Sequence, residues 1–194
     1  MIATLKKYVD FLQDRIDVCT DHEDGRVNSI KDEAAIIDTL KAEFPSEIKE
    51  APPRCWYDFK AVETPVQIKV STMKCADNFS SKQAIVYALT NLSEKECGDI
   101  KTWNAFHKAL ENSELSDRDY NIIVLNKTTK KVHHYTLQSL SKLAPNGSNL
   151  PFQINWSKQT YVKRSPEEAY RFIIDAYKQS VGLKIHTHNG YEQL

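Results

Sequence analysis

The chain has 194 residues, a formal net charge of zero and 41% hydrophobic residues, which predicts a globular protein with its own apolar core. No apolar run approaches the roughly 18 residues that a membrane helix needs, so we expect no membrane span. Zero net charge disfavours a protein that coats DNA indiscriminately. The five glycines form no Gly-rich phosphate loop, which excludes kinases, GTPases and dinucleotide enzymes of that kind.

The N-terminal segment does not resemble a secretory signal peptide, because Lys6, Lys7 and Asp10 interrupt its apolar positions. The four cysteines are widely spaced without a Cys-x-x-Cys pair, which favours reduced thiols over disulfides or a zinc site. We therefore expect a cytoplasmic protein.

Two helices are predicted first in chain order. An amphipathic pattern covers residues 2–19, and a polar loop covers residues 21–28. Ser29 is the expected N-cap of the second helix, with Asp32 completing an acidic variant of the capping box. Pro45 closes this helix.

Glu33 falls on the inward stripe of the second helix, whose members recur about every third or fourth residue. The apolar members of this stripe are Ile30, Ile37, Leu40 and Phe44. Because an unpaired buried charge is costly, three interpretations remain open: Glu33 pairs with a Lys or Arg, a small rotation of the helix exposes it, or it faces a cleft at the helix edge.

A β-hairpin is predicted next, with strands over residues 56–60 and 66–71 and a break containing residues 63–65. Alternation along the second strand sends the side chains of Gln67 and Lys69 to one face and the apolar side chains to the other. On the first strand Asp58 can share the polar face. An acid, an amide oxygen and a lysine are therefore expected to converge.

The rest of the chain predicts further helices and strands around the same sheet. The expected helices cover residues 82–92, opened by Ser80 or Ser81, residues 100–111 and residues 166–181; the expected strands cover residues 120–125, 132–137 and 151–156. We predict an α/β fold, a mixed central β-sheet flanked by helices, in a single domain over residues 1–181 with a C-terminal tail over residues 182–194.

Three sequence motifs carry a resemblance to a known family. They are Asp58 followed by Gln67-Ile68-Lys69, the segment GRVNS at residues 25–29 with Glu33 downstream, and ADNFSSK at residues 76–82. Together they resemble a group of small type II restriction endonucleases of the PD-(D/E)xK nuclease superfamily. The similarity covers residues 25–92, about a third of the chain, and it implies a restriction-endonuclease-like core in a prokaryotic protein.

The resemblance implies a Mg²⁺ site, since phosphodiester hydrolysis needs charge neutralisation at the phosphate and an activated water. Asp58 would be the main metal ligand, with the side-chain oxygen of Gln67 and the backbone carbonyl of Ile68 as further ligands, and Lys69 would act on the water and the developing charge. Gln67 departs from the family pattern, where an acid is commoner. Either Glu33 or Glu63 would then supply the missing negative charge.

DNA contacts are expected from polar side chains that flank the hairpin and its neighbouring helices. Each is also compatible with an ordinary loop or cap. The candidates are Arg26, Asn28, Ser71, Lys74, Asn78, Ser81 and Lys82.

The function implied by the resemblance is Mg²⁺-dependent, sequence-specific cleavage of double-stranded DNA to 5′-phosphate and 3′-hydroxyl ends. A homodimer is expected, because two subunits related by a two-fold axis suit a palindromic site, and a cognate DNA methyltransferase belongs to such a system. Two alternatives remain. One is a repair or structure-selective nuclease with the same core, and the other is a catalytically silent DNA-binding protein.

Overall fold

The computed structural model describes residues 3–15 and 25–191, with side chains described over residues 5–15 and 31–185. These residues form two compact units. The first combines the chain up to Lys74 with Asn121–Thr136, and the second combines Cys75–Tyr120 with the chain from Leu137 onward. Among the described helices, none has the length and apolarity to cross a membrane.

A five-stranded mixed sheet forms the centre of the first unit, which confirms the predicted mixed sheet, although the strand predicted over residues 151–156 belongs to a separate two-stranded sheet. The strand order of the five-stranded sheet is β1-β2-β3-β5-β6, in which β3 and β5 are parallel and the other neighbours are antiparallel. The strands are β1 (Ile48–Glu50), β2 (Phe59–Ala61), β3 (Thr64–Ser71), β5 (Asn121–Asn126) and β6 (Lys131–Thr136).

Helices α1 (Ala3–Gln13) and α2 (Gly25–Glu43) contribute to one apolar cluster with this sheet. On β3 the buried members are Val66, Ile68 and Val70, which confirms the predicted alternation. β6 is an edge strand, and the side chain of Gln13 covers part of that edge. Its Oε1 accepts from Val132 N at 2.8 Å and its Nε2 donates to Lys130 O at 2.8 Å.

The predicted start of the second helix is wrong. α2 begins at Gly25, so Ser29 lies inside the helix and is not its N-cap. Asp32 does not complete a capping box, because its side chain is buried beside Lys127. The predicted first helix is also too long, since α1 ends at Gln13; residues 16–24 lie outside the described residues.

Over its described residues, the second unit contains a two-stranded antiparallel sheet and four α-helices. The strands are β4 (Asp77–Phe79) and β7 (Phe152–Ile154). The helices are α3 (Lys82–Leu89), α4 (Glu94–Gly98), α5 (Trp103–Asn112) and α6 (Pro166–Tyr191).

Helix ends in the second unit follow local capping signals. Ser81 caps α3, as predicted, since its Oγ accepts from Ala84 N at 3.1 Å. The short helix α4 was not predicted, although Ser93 and Glu96 form a complete capping box. α6 begins at Pro166 as expected but continues to Tyr191, so residues 182–191 are helical. A single glycine at position 182 weakens a helix without ending it.

Candidate functional site

Asp58 lies in the bend directly before β2, and its carboxylate extends the hydrogen bonding of the sheet. β2 pairs with β3 only as far as Phe59 opposite Val66. Beyond that point Asp58 Oδ2 accepts a hydrogen bond from Ile68 N at 2.7 Å, and Asp58 N donates to Val66 O at 3.0 Å. The side chain of Asp58 is therefore held against the middle of β3 at the point where β2 ends.

Lys69 and Glu33 meet beside this point. Lys69 Nζ lies 3.5 Å from Glu33 Oε1, and the two side chains are 28% and 20% exposed. Lys69 belongs to the polar face of β3, whereas Glu33 is carried by α2. The sequence left open whether Glu33 is exposed, paired or at a cleft; it is mostly buried and paired with Lys69.

The two carboxyl groups of the site share one electrostatic environment. Burial raises the pKa of Glu33, the positive charge of Lys69 opposes that rise, and the negative charge of Asp58 adds to it. Burial also raises the pKa of Asp58, against the opposing effects of the Ile68 N–H group and of Lys69. Two acids and one lysine therefore interact beside the middle of β3, and both acids are made harder to ionise.

Gln67 occupies the same face of β3 as Lys69 and is half-buried. No hydrogen bond joins its side chain to another side chain or backbone group within the described residues. The Ile68 N–H points towards Asp58, and the carbonyl of a residue in an extended strand points to the same side as its N–H. The Ile68 carbonyl therefore lies on the Asp58 side of β3, and the Gln67 amide lies on the face of β3 that carries Lys69.

Glu63 does not contribute to this group. Its carboxylate lies 3.0 Å from Lys49 Nζ and 3.6 Å from Lys60 Nζ, and its side chain is 70% exposed. Neither lysine is Lys69. Of the two acids that the sequence offered as the partner of Asp58, Glu33 is the one near it.

The donor set of this group suits a hard divalent cation. Two carboxylates, an amide and a backbone carbonyl are oxygen donors, which Mg²⁺ prefers. The raised pKa values of Glu33 and Asp58 mean that a nearby cation would stabilise their ionised forms. Within the described side chains, no group of three or more His, Cys, Asp or Glu residues is placed to hold a metal, so a cation here depends on Gln67 and backbone oxygen.

A second acid–lysine pair on α2 was missed by the sequence analysis. Asp32 forms an ion pair with Lys127, and the two side chains are 1% and 15% exposed. Lys127 N also donates to Ser71 O at 2.9 Å, so the β5–β6 turn connects α2 to the end of β3. The sequence held a signal that Asp32 is buried, because Ile36 and Leu40 follow it at helical spacing and are buried themselves.

The candidate DNA-binding residues are distributed over both units. Arg26 and Asn28 lie in the first turns of α2 and not in a loop, and their side chains are outside the described residues. Ser71 Oγ accepts from Met73 N at 3.0 Å, and Lys74 is exposed.

The other candidates belong to the second unit. Asn78 is exposed on β4, Ser81 is the N-cap of α3, and Lys82 Nζ lies 4.8 Å from the centroid of the Trp103 ring. Ser81 and Lys82 therefore have structural roles of their own, whereas Asn78 is exposed and its Oδ1 accepts a hydrogen bond from Gln153 Nε2 at 2.8 Å.

Comparison with known proteins identified no match to this chain, either with a family model or with a curated protein.

Proposed function

We propose that the protein is a Mg²⁺-dependent, sequence-specific endonuclease of double-stranded DNA, similar to a type II restriction enzyme with a restriction-endonuclease-like core. The main support is the group formed by Asp58, Glu33 and Lys69 at the end of β2, where the ion pair of Lys69 with Glu33 is 3.5 Å long. The sequence resemblance implies these roles for Asp58 and Lys69, with Glu33 as an additional acid. The proposal includes a homodimer and an accompanying DNA methyltransferase.

The two acids, Gln67 and the Ile68 carbonyl would hold Mg²⁺ in this proposal. When bound, Mg²⁺ neutralises charge on the scissile phosphate and lowers the pKa of water enough to make it a nucleophile near neutral pH. Glu33 would supply the negative charge that Gln67 lacks. Burial keeps the carboxylates partly desolvated, which strengthens their attraction to a cation.

Lys69 would orient the attacking water and stabilise negative charge that develops on the phosphate. Its ammonium group lies on the same side of β3 as Gln67, next to the Glu33 carboxylate. Water adds to phosphorus and the 3′-oxygen leaves with a proton. The products are then a 5′-phosphate and a 3′-hydroxyl.

The proposal is tested by incubating unmethylated phage DNA with the purified protein, with Mg²⁺ or with EDTA. Asp58→Ala and Lys69→Ala are each expected to lower the cleavage rate at least about 10²–10³-fold, the usual cost of removing a group that stabilises a developing charge. Lys49→Ala is the matched control, because Lys49 is an exposed lysine of the same unit that pairs with Glu63. It should cleave like the wild-type protein.

Discrete fragments that require Mg²⁺ and disappear in both site variants would support the proposal. Cleavage confined to mismatched or flapped duplexes would indicate a structure-selective nuclease with the same core. Intact DNA, despite tight duplex binding by the folded protein, would contradict the nuclease proposal and indicate a silent DNA-binding protein.

A further inference from the structure

An acid-free stretch covers part of the second unit. From Tyr120 to Pro166 the sequence contains no Asp or Glu, although the whole chain is neutral. Within this stretch Lys142 and Lys158 are exposed and line one open cavity of about 470 Å³. Locally concentrated positive charge in a neutral protein suits an anionic partner.

The β4–β7 ribbon adjoins this cavity and has one apolar face and one amide face. Asn78 and Gln153 are directly opposite each other in the ribbon. On the other face Phe79 and Phe152 are buried and stack with their ring centroids 5.6 Å apart. Since side chains alternate along each strand, this stacking directs the two amide side chains outward.

The two amides are hydrogen-bonded to each other through one donor and one acceptor, which leaves the other donor and the other acceptor of the pair without a partner in the described part of the chain. Gln153 Nε2 donates to Asn78 Oδ1 at 2.8 Å. Within the described residues, the Asn78 amide nitrogen and the Gln153 amide oxygen have no hydrogen-bond partner. Asn146 Nδ2 lies 3.5 Å from the same Asn78 oxygen and helps to orient it.

This pair of groups matches the major-groove edge of adenine, which presents an acceptor at N7 and a donor at N6. Guanine presents two acceptors there and fits the pair poorly. The major groove also admits a two-stranded β-ribbon. We infer that Asn78 and Gln153 together read an A·T base pair in the major groove of duplex DNA.

In this inference Lys142 and Lys158 contact DNA phosphates beside the Asn78–Gln153 pair. Gln153 and Ala144 exchange backbone hydrogen bonds of 2.8 Å, and Ala144 lines the same cavity as Lys142 and Lys158. The two lysines therefore line a cavity whose wall is hydrogen-bonded through Ala144 to the strand that carries Gln153. Asp77, the nearest acid in the ribbon, accepts a hydrogen bond from Trp156 Nε1 at 2.5 Å on the ribbon's inner face, so it does not offset their charge on the outer face.

The inference rests on the proposed function, because it assumes that duplex DNA is the partner. It is tested separately from cleavage with the full-length Asp58→Ala variant in EDTA. The probe is a pool of short duplexes with a randomised centre, and the bound fraction is sequenced. We expect enrichment of a motif that contains an A·T pair.

Gln153→Ala in the Asp58→Ala protein should lower the preference at one A·T position roughly ten- to a hundredfold, the discrimination expected of a paired donor and acceptor. Preferences at other positions should remain. Gln153→Glu should lose the adenine preference as well, and it preserves side-chain length if the alanine variant folds poorly. Gln179→Ala, an exposed glutamine on α6, is the control and should retain the motif.

The double variant Lys142→Ala and Lys158→Ala should weaken binding to all sequences alike. The slope of log affinity against log salt should become shallower by about two, because roughly one counterion is released for each phosphate contact. Lys101→Ala with Lys108→Ala, two exposed lysines elsewhere in the unit, should leave the slope unchanged.

An unchanged motif in both Gln153 variants overturns the inference even when the wild-type protein cleaves DNA. A Gln153-dependent motif supports it even when Mg²⁺ produces no cleavage, and in that case only the nuclease proposal fails. Absence of binding to any duplex overturns the inference, and it overturns the nuclease proposal as well only when the wild-type protein also leaves DNA intact with Mg²⁺.

Discussion

Helix α2 carries two successive acids, and each forms an ion pair with a lysine of the same unit. Asp32 and Lys127 are almost fully buried and in direct contact. Glu33 and Lys69 are 3.5 Å apart and more exposed. Burial raises the pKa of the Glu33 carboxylate, and the negative charge of Asp58 adds to that rise.

The two pairs differ because of what surrounds them. Asp32 is paired directly with Lys127, so this ion pair holds α2 against the β5–β6 turn. Glu33 shares Lys69 with a second acid, Asp58, so the group holds two acids for one lysine and suits an added cation. Asp32 therefore stabilises the fold, whereas the neighbouring acid Glu33, as we propose, takes part in catalysis.

The largest effect should come from breaking the buried pair. Lys127→Met should lower the free energy of unfolding by about 3–5 kcal/mol, because it leaves the Asp32 charge buried without its partner. Urea denaturation measures the change, and Lys131→Met, at an exposed lysine of β6, is the control. Adding Asp32→Leu should restore most of the stability; a double variant as unstable as the single one would contradict this account.

The second-largest effect should come from adding a third carboxylate to the group of Asp58, Glu33 and Lys69. Gln67→Glu should tighten Mg²⁺ binding roughly tenfold, since one more negative charge faces the cation across a partly desolvated distance. Isothermal titration calorimetry with Mg²⁺ measures the dissociation constant. Unchanged affinity would mean that Gln67 does not face the bound ion.

Removing the Glu33 charge should have the smallest effect. It should raise the free energy of unfolding, whereas Lys127→Met lowers it. The ion pair lost in Glu33→Gln contributes at most about 1 kcal/mol at this exposure, whereas burial is the largest influence on Glu33 and raises its pKa above the usual 4.5. Ionised Glu33 therefore destabilises the folded state at neutral pH. We expect Glu33→Gln to be more stable than wild type at pH 7.

The pH dependence of stability tests whether ionised Glu33 destabilises the folded state. Because the folded state binds the proton of Glu33 more tightly than the unfolded state, the wild-type protein regains stability as the pH falls through the raised pKa towards 4.5. The advantage of Glu33→Gln should shrink over that range in urea denaturation. Glu63→Gln, at an exposed acid, should show no such trend; a constant advantage of Glu33→Gln at every pH would refute the explanation.

Local sequence patterns predicted the parts of the site that depend on one strand or one turn. The alternation of β3 placed Gln67 and Lys69 on one face, because the two-residue period of a strand does not depend on its neighbours. Ser81, one of the two serines predicted as the cap of α3, is the cap; a local pattern could find it because its hydrogen-bond partner is three residues away.

Sequence patterns that fit more than one local structure did not predict which structure forms. Ser29 and Asp32 fit a capping box as well as they fit the interior of a longer helix, and the sequence offered no means to choose. The pairing of Asp32 with Lys127 decided against the cap. Glu33 and Glu63 were equally acceptable partners for Asp58 until packing brought only the first of them to Lys69.

The sequence by itself determined which faces of the strands are polar and apolar, the α/β class and the resemblance that implies nuclease chemistry. The tertiary structure alone decided which acid joins Asp58, which acid is buried with Lys127, and that Asn78 lies opposite Gln153. The reason is that periodicity and capping act over a few residues, whereas the partner of a charge or an amide is chosen by the packing of segments far apart in the chain.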